Sequence, residues 1–115
     1  MRATTVCKKN VINASADRTL TRAESGSLCT NYGATGAITF NLPASPEVGD
    51  FFEFIVGSGA TATDMYVNPA SGDAIIAAGA VTSDGQLMAD DEGEMMLVTC
   101  IQDGVWLAGV TGTWT

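Results

Sequence analysis

At 115 residues the chain is long enough for one domain with a single modest core. Its formal charge of −8 is unevenly spread: all five basic residues precede residue 23, opposed there by Asp17 alone, and the other twelve of the thirteen acids follow without any Lys, Arg or His. Such a body offers no basic face to a phosphate backbone, which excludes nucleic acid as its ligand, and the lack of His excludes a Ser–His–Asp or Cys–His nucleophile within one chain.

Residues 1–17 read as a basic arm and 18–115 as one β domain. Arg2, Lys8, Lys9, Arg18 and Arg22 are the candidate docking residues, expected to seat the chain electrostatically on an acidic scaffold or a neighbouring protomer. The competing reading makes them a solvated face or an internal counterweight to the acidic body. The arm lacks the apolar core of a signal peptide, and no stretch approaches the roughly 18 apolar residues of a membrane span. Without a secretory signal, the sequon Asn13-Ala14-Ser15 carries no weight.

Thr21-Arg22-Ala23-Glu24-Ser25-Gly26 has the form of a capping box closed by Gly, which predicts one short helical turn near residues 21–25. Ile38, Phe40 and Leu42 alternate with Thr39 and Asn41, a half-buried strand that Pro43 ends. Residues 51–56 are denser, with Phe52, Phe54 and Val56 on one face, and read as a central strand. The stretch 57–63 is a loop. Residues 65–67 form a short strand, closed by the turn residues around Ser71-Gly72-Asp73, and 74–78 form the next. Asp84-Gly85 offers a second turn.

Asp103-Gly104 between residues 94–102 and 105–113 predicts a β-hairpin with a type I′ turn. Both arms are almost continuously apolar, so the hairpin is expected to sit centrally or to lend a face to an oligomer contact. The fold class is all-β, a small antiparallel β-sandwich or barrel with that one helical turn. Large core-formers are few, which favours self-association, and Trp106, Val110 and Trp114 on the last strand are the candidate oligomer interface.

Little here points to chemistry. Cys7, Cys29 and Cys100 fit no zinc spacing and read as buried free thiols. Asp90-Asp91-Glu92-Gly93-Glu94 invites a glycosidase or calcium reading, but neighbouring acids before a strand are ordinarily a solvated loop, and the spacing is not that of an EF-hand. Gly57-Ser58-Gly59 lacks the Lys and the helix of a phosphate loop. No catalytic, cofactor-binding or metal-binding residue is assigned.

Three stretches resemble small structural proteins of tailed-phage virions. Arg18-Thr19-Leu20-Thr21-Arg22-Ala23-Glu24-Ser25-Gly26 is similar to their R-T-L-T-x-x-x-S-G opening, and residues 33–43 (GATGAITFNLP) resemble their G-A-T-G-x-x-T-x-x-L-P strand. Asp103-Gly104-Val105-Trp106 and Gly112-Thr113-Trp114-Thr115 look like their D-G-x-W … G-T-W close. The resemblance implies an all-β homotrimer on the virion surface without catalytic role: a capsid decoration (cement) protein on the outer head, touching the major capsid protein or another virion protein, made in the host cytoplasm. A chain that opens on Met1 and shows no coiled-coil or collagen-like shaft is expected to be the decoration protein. The alternative is a receptor- or glycan-binding tip of a head or tail fibre, which an exposed Trp106 or Tyr66 beside Asn and Asp would favour. A small hydrolase of envelope sugars is a third class.

Overall fold

Large apolar residues at every second position are buried only if one face of each strand turns inward. The computed structural model, which describes residues 8–57, 64–77, the backbone of 80–83, and 85–115, meets that demand with two sheets sharing one apolar core. In the larger sheet β1 (Val11–Asn13), β3 (Leu28–Thr30) and β5 (Phe51–Ile55) lie side by side. In the smaller sheet β2 (Arg18–Thr19), β4 (Ile38–Asn41) and β6 (Met65–Asn68) do the same. The chain thus winds from one sheet to the other and back, and each pass leaves its strand parallel to the last: Ile12 beside Cys29 beside Phe54, and Phe40 beside Val67.

The expected antiparallel arrangement is therefore corrected to a mixed one. Period-2 patterning reports which face is buried but nothing about strand direction. The crossover that a parallel pair needs is supplied here by the intervening strand of the opposite sheet.

The rest of the chain adds β7 (Ala74–Ala77), β8 (Ala80–Ser83), β9 (Leu87–Ala89), β10 (Met95–Gln102) and β11 (Val105–Thr111). The larger sheet then runs β1-β3-β5-β10-β11-β7-β8 and the smaller β2-β4-β6-β9. The expected central strand β5 and hairpin β10–β11 do lie in the interior of the larger sheet. Phe52, Phe54, Met96, Val98, Ile75 and Trp106 from that sheet meet Leu20, Ile38, Phe40, Met65 and Val67 from the other. Phe40 and Phe54 bridge the layers with ring centroids 5.5 Å apart. At about 1.5–3 kcal/mol for each large apolar side chain removed from water, this core is the main source of stability.

Local signals are realised with one revision. Arg22–Glu24 forms a single 3-10 turn, with the Glu24 carboxylate accepting the Thr21 backbone N–H at 2.9 Å and Gly26 at φ +89 beyond its end. At the hairpin, Gly104 has φ +74 but Asp103 keeps negative φ, so the turn is not type I′. A register shift between Cys100 and Gln102 lets the strands meet with only one residue in the left-handed region. Residues 58–63, Asp84 and Ala78, which carry parts of the expected 57–63 loop, second turn and 74–78 strand, lie outside the described residues.

Both ends of the described chain are stitched in. β1 pairs with β3 and places Ile12 in the core, and the Ala14 N–H donates to the Thr30 carbonyl at 2.9 Å. A boundary at residue 17 thus divides residues that share one sheet and one core. At the other end Thr115 exchanges two backbone hydrogen bonds with Met88, of 2.8 and 3.0 Å, so the chain's last residue lies against β9 at the edge of the smaller sheet.

Candidate interaction surface

Because side chains alternate across a strand, the ladder register fixes what the larger sheet shows on its far side. One row runs Val11–Leu28–Glu53–Leu97–Gly109, and the next Phe51–Thr99–Leu107–Ile76. A third carries Ile55 and Met95. Phe51, Leu97, Ile101 and Leu107 are 40–48% exposed and Val11 57%, while Ile55, Ile76 and Met95 are half-buried. Glu53 is the one carboxylate among these residues, and Lys9 neutralises it with Nζ 2.5 Å from Oε1. The result is a broad, nearly charge-free apolar face on a chain of formal charge −8. Isolated exposed apolar residues need no explanation, but a contiguous face of them marks a surface that something covers.

The smaller sheet shows the opposite character. Thr19, Asn41 and Asn68 stand in register on its outer side. Asn68 Nδ2 donates to Asn41 Oδ1 at 3.3 Å, and Asn41 Nδ2 to the Thr19 hydroxyl at 3.5 Å. Asp17 beside them accepts the Thr39 N–H at 2.9 Å. Tyr66, half-buried in the neighbouring row, directs its hydroxyl to Asp64 at 3.5 Å. This is a hydrated polar face whose groups largely satisfy one another.

The residues singled out from the sequence land in different places. Arg2 lies outside the described residues. Lys9 pairs with Glu53, Arg18 with Glu24, and Arg22 with Glu47 at 2.6 Å and Asp50 at 3.4 Å. Three of the expected docking cations thus serve as counterions to the body of their own chain, the competing reading of the basic segment. Lys8 is exposed and makes no ion pair among the described residues.

Trp106 is not at an interface. It is wholly buried and tilted at 47° against Phe52 with centroids 6.1 Å apart, and its Nε1 has no acceptor among the described residues. Val110 and Trp114 pack against the core from the inward side, and Trp114 donates from Nε1 to the Met95 carbonyl at 3.1 Å. β11 is apolar on both faces, so its composition could not tell inward from outward. The outward residues Leu97, Ile101 and Leu107 escape a sequence reading for the same reason, although the almost continuous apolar runs on both arms of the hairpin are their signal, and Phe51 stands on a β5 face that Glu53 makes look mixed.

In the acidic loop, one oxygen each from Asp90, Asp91 and Glu94 lie within 4.8 Å of one another. Glu94, however, is buried and already engaged: Oε1 accepts the Asp91 N–H at 3.0 Å and Oε2 the Thr113 N–H. The Thr113 bond above all, with further backbone bonds from Asp91 and Asp90, holds its pKa below the usual carboxylate value against the opposing effect of burial. Glu94 is thus a clamp between the acidic loop and the C-terminal segment. Cys29 and Cys100 are buried and free; burial pushes the Cys29 thiol up to about 12 and raises Cys100 as well, so neither is a ready nucleophile.

Set against known proteins, the chain matches no family and no curated relative. The stretches singled out from the sequence at residues 18–26, 33–43, 103–106 and 112–115 have structural places here: β2, the buried Leu20 and the 3-10 turn; β4; the Asp103-Gly104 turn; and the closing segment that pairs with β9.

Proposed function

We propose that the chain is a non-enzymatic structural protein of a tailed-phage virion: a homotrimeric capsid decoration (cement) protein, built as a β-sandwich, that lies on the outer head and reinforces the shell. The observation that supports this reading is the neutral apolar face of the larger sheet, opposite a polar face on the smaller one. Leaving such a face in water forgoes about 25 cal/mol for every Å² of apolar surface, and a module that assembles with further copies of itself recovers that energy. The resemblance in the turn and strand motifs supplies the virion setting. Because Lys9, Arg18 and Arg22 are committed within the chain, electrostatic attraction to the shell falls to Lys8 and Arg2.

Heads purified without the protein and then incubated with it provide the test. A decoration protein saturates them at a stoichiometry fixed by the number of shell subunits, and Lys8→Glu weakens attachment in a manner that added salt mimics. A few copies at one vertex or on the tail instead indicate the fibre-tip alternative, and no attachment to any virion part ends the proposal.

A further inference from the structure

Resting on that reading, we infer that the apolar face of the larger sheet is the inner wall of a three-sided prism, covered by two further copies of this chain with β10 nearest the threefold axis. The face runs over β1, β3, β5, β10, β11 and β7, and its five strands from β3 to β7 centre on β10. Packed sheets stand about 10 Å apart, so each of three walls around a common axis lies about 5 Å from it, and a triangle of that inradius has sides of about 17 Å. Strands repeat every 4.7–4.9 Å, so one side takes about four to five strands, most of the six-strand apolar stretch and the whole of it from β3 to β7. Leu97, on the outward side of β10 and 41% exposed, then meets its own two symmetry mates.

Charge supports the same occupant. Chains of formal charge −8 repel one another, yet what each brings to the axis is neutral because Lys9 cancels Glu53. A basic partner would find on this face only one carboxylate, already paired with Lys9, whereas the identical face of a second and third copy is mostly apolar. Three walls also bury the face of every copy equally and close the assembly, leaving the Thr19–Asn41–Asn68 side in water.

Light scattering on the purified full-length chain tests the prism. The wild type should run at the mass of three 11.8 kDa chains. Leu97→Asp should drop to the mass of one with unchanged far-ultraviolet circular dichroism, while Asn68→Asp on the opposite face keeps the three-chain mass. A wild type of one or two chains, a Leu97→Asp protein that stays at three, or splitting by Asn68→Asp overturns the proposal. If Leu97→Asp does not fold, oxidised Leu97→Cys carries the test: a covalent two-chain product is expected, and its absence overturns the prism. A prism that ignores phage heads refutes the decoration role alone, and a three-chain protein that coats heads but keeps its mass in Leu97→Asp refutes the prism alone.

Discussion

Glu94 and Gly112 form a matched pair near the C-terminus. Gly112 sits at φ +83, and a Cβ there would stand 2.5 Å from Cγ and Oε2 of Glu94, so Gly112→Ala both strains the backbone and displaces the clamp. We expect a loss of about 1–3 kcal/mol, read from thermal or urea unfolding. Because Glu94 titrates below its ordinary value of 4.5, the unfolded chain binds more protons than the folded one between the two pKa values. Its contribution is therefore complete above about pH 5 and lost as pH falls through the folded pKa. Glu94→Gln should flatten the acid limb of a melting-temperature profile below about pH 5; an unchanged limb would show the clamp to be incidental. Trp106 makes a second case. Trp106→Ala should cost about 3–5 kcal/mol, but Trp106→Phe much less, because Phe keeps most of the packing and removes an indole N–H that has no acceptor among the described residues. From the sequence this Trp could be placed on a strand but not on a face, since Val105, Trp106 and Leu107 are apolar in succession.

Among the elements, legibility followed length and side-chain size. β4, β5, β6 and the hairpin could be read because each sets Phe, Ile, Leu, Met or Val at alternate positions over four or more residues, and β7 because turn residues precede its Ile pair. β1, β2, β3 and β9 have two or three residues each, too few for a period to show, and they are recognisable as strands only once the ladder holds them. Parallel pairing had no local signal at all. The hairpin turn gives a direct check: Gly104→Val puts a β-branched residue at φ +74 with its Cβ 2.9 Å from Asp73 Oδ1, and should cost about 1–3 kcal/mol. Asp103→Ala should stay within about 0.5 kcal/mol in the same denaturation assay, because Asp103 is not in the left-handed region. A type I′ turn would make both substitutions costly.

The assembled protein is two-faced, with an apolar sheet on one side, an Asn- and Thr-lined sheet on the other, and acid over most of the rest. Salt screens both the repulsion between copies and the proposed attraction of Lys8 to a shell, with opposite consequences for the two associations. Added salt should tighten self-association and weaken attachment to heads, and measuring both on one preparation separates them. The winding of residues 11–68 has a further consequence, which falls on synthesis. None of the strands β1 to β6 pairs with its sequence neighbour, and the hairpin that flanks β5 is made well after it. A nascent chain therefore holds Phe52 and Phe54 without their β10 neighbours until residues 95–111 have emerged, which favours slow folding and makes chaperone supply, more than final stability, the limit on soluble yield.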